Sequence, residues 1–376
     1  MKKSPKILFL SASIGSGHRQ AAVSIAQAMK RLQHDIVVEH IDILDFVNKF
    51  FRCTLLNVYF KSLIFIPQVY KKAYTWGNRK QGALWMRKII SAFFAKKLKV
   101  YLMAYRPDVV VCTHATPANV MQYLKEHAQM SIPSVSVITD FTVHQMWINQ
   151  DTKQYFVAED SLIENLIKCH IKQERSYALG IPVSVMYERI YDKNKLLKCM
   201  KFCDKTKIVL IMGGGAGIFP MLKVIQCLNS CTTAMQLIVV TGENKNLYRK
   251  VQKMQSKIKH DMHIFGFVHN IYEFMAVSDI LISKAGGVTV SEALCSALPM
   301  IIYQPIPGQE EENTKFLLRK KVAIKINKIS TLKKVIDKIF RIESNVLTNM
   351  KINARQISKP NAANDIASCI LNQLCK

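Results

Sequence analysis

The chain has 376 residues, 49% of them hydrophobic, a length and composition that favour two packed cores over one. Its 53 Lys and Arg against 26 Asp and Glu give a net charge of +27, which points to an anionic partner: nucleic acid, or a membrane carrying acidic lipids. The 10 cysteines include no Cys-x-x-Cys pair, which argues against a zinc site or a disulfide scaffold and suits reduced cysteines in the cytoplasm.

At the amino terminus, Lys2, Lys3 and Lys6 precede the apolar run Ile7 to Ala12 and mimic a signal peptide. The run is brief and flows into a glycine loop, so it reads as the first strand. Gly15-Ser16-Gly17-His18 follows and opens a helix over Gln20 to Arg31. This loop lacks the Lys-Ser/Thr of a P-loop and the third glycine of a dinucleotide fingerprint. Gly15 and Gly17 allow a tight turn, and His18 projects from it. An imidazole with an ordinary pKa near ~6.5 can take a proton from an attacking alcohol at neutral pH. A strand at Ile36–Ile41 comes next. From Phe46 to Pro107 there is no Asp or Glu, but there are 13 Lys and Arg and 14 aromatic residues, including Trp76 and Trp85. That mixture suits a lipid interface, though it also suits single-stranded nucleic acid. The nearest approach to a membrane span, Leu55 to Tyr70, is broken by Lys61 and Pro67 and falls short of about 18 apolar residues. Strands at Val109–Thr113 and Ser134–Thr139 lead to His114 and Asp140. Asp140 is a candidate to orient His18 and stabilise its protonated form, and equally a candidate turn or helix cap. Gly15, Gly17, His114, His144 and Trp147 are candidates for an acceptor side, and His114 is equally a candidate for a structural use. Short strands at Tyr155–Val157 and Ser176–Leu179 close this half.

The stretch Met186 to Lys207 is charged and helical. After it come strands at Ile208–Met212, Gln236–Val240, His263–Phe265, Ile280–Ser283, Met300–Tyr303 and Ala323–Ile326, alternating with helical patterns. That alternation is the signature of parallel α/β sheets. Gly213 and Gly214, in the run Met212 to Gly217, let backbone approach a bulky anion. The densest signal is Ser283-Lys284-Ala285-Gly286-Gly287-Val288-Thr289-Val290-Ser291-Glu292-Ala293. Gly286 and Gly287 turn a buried strand into a helix expected over Thr289 to Ala297, whose unpaired N–H groups suit a diphosphate. Glu292, one turn in, can reach ribose hydroxyls. The loop Pro305-Ile306-Pro307-Gly308-Gln309-Glu310 then supplies Gln309 and Glu310, a polar pair suited to sugar hydroxyls. No Asp-x-Asp pair occurs anywhere. Leaving-group charge therefore falls to the helix start and to Lys284, and no metal or other cofactor is expected.

These donor motifs resemble the nucleotide-sugar half of glycosyltransferase family 28, and within it the diacylglycerol glycosyltransferases: monogalactosyldiacylglycerol synthases and processive diacylglycerol β-glucosyltransferases. Ser11 to His18 is similar to the family's Gly-x-Gly-His loop. Cys112-Thr113-His114 and Thr139-Asp140-Phe141 resemble its middle motifs, and Gly180-Ile181-Pro182-Val183 its interdomain boundary. The resemblance spans nearly the whole chain. It implies the GT-B fold, with two Rossmann-like domains facing across a cleft. Residues 1–190 would form the acceptor- and membrane-binding domain and 191–355 the UDP-sugar domain, while 356–376 would form a helix crossing back to the first. The resemblance also places the glycine loop at Gly213 and Gly214 near the donor, and Phe265, Gly266, Phe267 and Val268 at the uracil, held through backbone groups.

The expected activity is an inverting, metal-independent transfer of glucose or galactose from a UDP-hexose to diacylglycerol. His18 would be the base, at the inner face of the cell membrane, with anionic lipids as partners and no nucleic acid. Three other readings stay open. They are an N-acetylglucosaminyltransferase acting on a peptidoglycan lipid precursor, a UDP-sugar 2-epimerase on the same double-Rossmann plan, and a basic binding protein on a nucleotide fold. Against the epimerase stands the acid-free aromatic segment, which that chemistry does not need.

Overall fold

A computed structural model describes residues 4–215, 217–341 and 344–374. Within helices, the side chains at 51, 55, 60–65, 67, 80, 81, 83 and 344 lie outside the description, as does Ala216 of the expected glycine loop. The chain divides into two compact units.

The first unit comprises residues 1–185, 306–309 and 360 onward. Its elements are β1 (Lys6–Ser11), α1 (Ser16–Leu32), β2 (Val37–Asp42), α2 (Lys49–Phe65), α3 (Pro67–Gly77) and α4 (Lys80–Tyr105). They continue with β3 (Val109–Cys112), α5 (Ala115–Ala128), β4 (Ser134–Val137), β5 (Gln154–Phe156), α6 (Ser161–Lys168) and β6 (Ser176–Tyr177). The strands form one parallel sheet in the order β2-β1-β3-β4-β5-β6. Ile7, Leu8, Phe9 and Leu10 of β1 are all fully buried, because a parallel sheet covered on both faces needs apolar residues at every position rather than at alternate ones. α4 packs Phe94, Ala95, Leu98 and Leu102 over Leu8, Leu10 and Val110.

The second unit covers 186–305 and 310–359. It runs α7 (Lys193–Met200), β7 (Lys207–Met212), α8 (Met221–Asn229), β8 (Met235–Val240), α9 (Lys245–Met254), β9 (Asp261–Phe265) and α10 (Ile271–Val277). After these come β10 (Ile280–Ser283), α11 (Gly287–Cys295), β11 (Met300–Tyr303), α12 (Gln309–Arg319), β12 (Ala323–Ile326), α13 (Ser330–Arg341) and α14 (Ser344–Ile357). Its sheet is also parallel, ordered β12-β11-β10-β7-β8-β9. The last helix, α15 (Ala362–Leu374), belongs to the first unit, where Ala363, Ile366, Ala367 and Ile370 join the core that holds Ala22, Ile25 and Met29 of α1.

In each sheet the strand order reverses once, between β1 and β3 in the first and between β7 and β10 in the second. Ligands of open α/β sheets bind beyond the carboxyl ends of strands at such switch points. The sequence motifs sit there.

Candidate active site

In the first unit, β1 ends at Ser11 and the chain turns through Gly15 into α1. Gly15 has φ +102, a conformation open to glycine and strained for other residues. The turn is anchored by Asp42 at the end of β2, whose carboxylate accepts from the Ser13 N–H at 3.0 Å and from Arg52 at 3.2 Å. His18 lies in the first turn of α1, which begins at Ser16, earlier than the helix expected from Gln20. Its Nδ1 lies 2.9 Å from the Thr113 carbonyl beyond β3 and 2.8 Å from Thr139 Oγ1 beyond β4. A carbonyl can only accept, so Nδ1 carries the proton and Nε2 keeps its lone pair. The His114 ring meets His18 edge to face, with centroids 4.6 Å apart.

Both imidazoles are neutral at pH 7. His18 keeps some exposed surface, but the packing around it strips hydration from the charged form and lowers its pKa to about 4, against the raising effect of the Thr113 carbonyl. His114 is held well below its ordinary value by burial first and by its neighbour His18 second. Its Nδ1 caps α5 by accepting the Thr116 N–H at 3.1 Å. His144 works in a similar way. Its Nδ1 accepts the Met146 N–H at 3.1 Å and its Nε2 donates to the Tyr74 carbonyl at 3.1 Å, so the ring ties α3 to the loop after Asp140. Trp147 is buried beside it in sequence.

In the second unit, the loops after β7 and β10 adjoin. A Cβ on Gly213 would lie 2.5 Å from Phe219 Cβ, and one on Gly214 would touch Lys284 Cε at 3.9 Å. α11 begins at Gly287, two residues before the expected start, with no side chain capping it. Its leading N–H groups are thus directed at the turn made by Lys284, Ala285 and Gly286. The turn is braced from α12, where Asn313 Nδ2 donates to the Ala285 carbonyl at 2.9 Å. Lys284 Nζ pairs with Glu310 Oε1 at 2.7 Å, both side chains largely buried. That carboxylate lies 3.7 Å from where a Gly286 Cβ would stand, with Thr289 Oγ1 at 4.0 Å.

Glu292 is 7% exposed, and burial raises its pKa to about 8, which favours the neutral acid at pH 7. Phe265 packs against Phe274 with the rings tilted and their centroids 4.7 Å apart, and its carbonyl accepts the Thr241 N–H at 2.9 Å. Beyond it Gly266 and Val268 are half-buried and Phe267 is exposed. Gln309 opens α12 as its first residue and groups with the first unit.

Comparison with known proteins accords with this geometry. The sequence model of monogalactosyldiacylglycerol synthase matches residues 18–183, starting at His18, and that of the glycosyltransferase family 28 C-terminal domain matches 208–368. A processive diacylglycerol β-glucosyltransferase of Bacillus cereus is 30% identical over 380 residues, covering 99% of this chain and 94% of the relative. One of Bacillus thuringiensis is 30% identical over 382 residues, covering 99% and 95%.

The chain belongs to glycosyltransferase family 28, in its diacylglycerol glycosyltransferase branch.

The fold is GT-B-like. Among solved structures, MurG of Acinetobacter baumannii aligns with a TM-score of 0.60 at 15% identity, covering 98% of this chain and 99% of that one. The UDP-GlcNAc 2-epimerase of Neisseria meningitidis aligns at 0.58 and 14%, covering 98% and 100%. At such identities the likeness is one of fold alone.

Within this family member, the first unit brings His18 and His114 together. The second gathers Gly214, Lys284, Gly286, Thr289 and Glu310. Asp140 directly follows Thr139, whose hydroxyl meets His18. Three contributors had no role assigned from the sequence. Thr113 and Thr139 reach His18 because β3 lies next to β1 and β4 next to β3 in the sheet, and Asn313 reaches Ala285 only because α12 packs beneath the turn. The polar residues just past strand ends were the available hint.

Proposed function

We propose that the protein moves glucose from UDP-glucose to the free hydroxyl of diacylglycerol at a membrane surface, inverting the anomeric carbon. The observation that carries this reading is the His18 tautomer. With Nδ1–H held by the Thr113 carbonyl, Nε2 is the available base. The acceptor O–H gives its proton to Nε2 as its oxygen bonds to the anomeric carbon. The bond from that carbon to UDP breaks on the opposite face, so an α-linked donor yields a β-linked lipid. Asp140, next to Thr139, is assigned to stabilise the imidazolium that forms. Charge on the departing diphosphate is taken up by the N–H groups at the start of α11 and by Lys284, which exchanges Glu310 for phosphate. Glu292 is assigned to the ribose, the backbone from Phe265 to Val268 to the uracil, and Gln309 and Glu310 to the sugar. Among the described residues, no group of three or more His, Cys, Asp or Glu gathers to hold a metal. The full-length relatives, named as glucosyltransferases, support glucose as the hexose.

Membrane docking is supported by α4. Opposite its buried side, Trp85, Ile89, Phe93, Val100 and Met103 are all exposed and fall within about 80° of arc. Lys96 lies within that stripe and Lys88 and Lys99 border it. A helix apolar on two faces has a second surface to cover. Lysines beside an exposed aromatic stripe suit the boundary between anionic headgroups and acyl chains, each worth roughly 1 kcal/mol near the surface. No helix among the described residues is long and apolar enough to cross a membrane, and we place the enzyme at the inner face of the cell membrane. The test is incubation of purified protein with UDP-glucose or UDP-galactose and diacylglycerol vesicles, followed by mass spectrometry of the lipids. A hexosyl-diacylglycerol formed faster from UDP-glucose supports the reading, and absence of any hexosylated lipid overturns it.

A further inference from the structure

Residues 306–309 group with the first unit, although the strand before them and most of the helix after them belong to the second. α3 holds them. Tyr70 Oη donates to Gln309 Oε1 at 3.2 Å. One turn further along, the Tyr74 ring lies over Gly308, whose φ is +91; a Cβ there would come within 2.7 Å of two ring carbons. No residue but glycine fits that approach without displacing the ring. Tyr74 is itself fixed by His144, with ring centroids 4.4 Å apart and the Nε2 hydrogen bond to its carbonyl. Tyr70 packs edge to face on Tyr59 at 5.9 Å. Residues four apart share one helix face, so a single face of α3 clasps two consecutive residues, Gly308 and Gln309. The opposite face presents Val69, Lys72 and Trp76 to solvent.

We propose that Tyr70 and Tyr74 are positioning residues for the donor sugar. Tyr74 sets the path of the backbone at Gly308. Tyr70 engages Gln309 Oε1, which leaves the two N–H groups of Nε2 to donate to hydroxyl oxygens of the hexose. The inference rests on the assignment of Gln309 to the sugar made above.

Calorimetry on the full chain with UDP and UDP-glucose separates this role from a merely structural one. Tyr70→Phe keeps the ring and removes the hydroxyl. It should leave UDP affinity within about twofold of the parent and weaken UDP-glucose about 3- to 10-fold, the range for one neutral hydrogen bond. Gln309→Ala should weaken UDP-glucose at least as much, and the double variant should be no weaker than Gln309→Ala alone, because the hydroxyl acts only through that amide. Tyr74→Leu should raise KM for UDP-glucose and lower kcat, and Tyr74→Phe should restore both, since the ring and not its hydroxyl meets Gly308. Equal losses for UDP and UDP-glucose in Tyr70→Phe, additivity in the double variant, or an unaltered Tyr70→Phe would each overturn the proposal. If Gln309→Ala binds UDP-glucose as the parent does, the sugar assignment itself fails. If Gln309→Ala is impaired and Tyr70→Phe is silent, only the positioning role fails.

Discussion

Replacing Glu292 by Gln tests the charge state of the donor half. In the unfolded chain this carboxyl ionises around its ordinary value of 4.5, whereas burial in the folded unit raises it to about 8. A folded pKa above the unfolded one gives stability that is complete below pH 4.5 and lost as pH rises through 8. At about 1.4 kcal/mol per pH unit, the folded chain forgoes up to about 3 kcal/mol at pH 7. Glutamine has nearly the same shape and no ionisation to suppress. Glu292→Gln should therefore melt several degrees above the parent at pH 7 and together with it near pH 4.5. Donor binding should show the converse. If ribose hydroxyls bind the carboxylate, each binding event at pH 7 expels close to one proton, because only about one Glu292 in ten is ionised beforehand. UDP-glucose affinity should then rise about tenfold between pH 7 and 8.5 in the parent and stay flat in Glu292→Gln. Calorimetry in two buffers of different ionisation enthalpy reads the proton directly. A parent whose affinity is flat with pH and whose binding releases no proton would falsify the ionisation argument.

Other consequences are more local. His18→Ala should lower turnover by ~10²- to 10⁴-fold with UDP affinity nearly intact; a variant keeping half the parent rate removes His18 as base. Because the His18 pKa is lowered to about 4, kcat/KM should show no limb from this residue between pH 6 and 8 and should fall only as pH drops toward 4, which a pH–rate profile checks. Glu310→Ala should weaken UDP-glucose while leaving UDP as tight as before or tighter, since Lys284 loses its competing partner; calorimetry with both ligands decides it. Changing Lys71, Lys72, Arg79 and Lys80 together to Gln should lower affinity for anionic vesicles and turnover on diacylglycerol without altering UDP affinity. Vesicle sedimentation at rising salt would expose the reasoning as wrong if the variant binds like the parent.

Much of the donor half was readable because its signals are local. A glycine pair between a buried strand and a helix, with a glutamate one turn in, needs no tertiary knowledge to interpret. His18 stood out for the same reason, framed by Gly15 and Gly17. Its contacts did not, since Thr113 and Thr139, quoted above only within motifs, approach it through the β1-β3-β4 order. The Gln309–Glu310 pair reads as loop after Pro307 and Gly308, yet three successive glutamates at 310–312 complement a helix amino terminus, and α12 starts there. The His114 and His144 rings each accept an N–H two residues on, a local capping pattern visible in principle but overshadowed by the chemistry histidine usually attracts. The neutrality of Glu292 could not be read from sequence, because it depends on how completely the surrounding unit removes water.

The most direct measurement is the identity and anomeric configuration of the lipid made from UDP-glucose and diacylglycerol vesicles in excess EDTA, by mass spectrometry and proton NMR. The expected result is β-glucosyl-diacylglycerol with one UDP released per linkage, formed by the parent and nearly absent with His18→Ala. An α-linked product, a strict need for added divalent metal, or an undiminished rate in His18→Ala would contradict single-step inversion with His18 as the base.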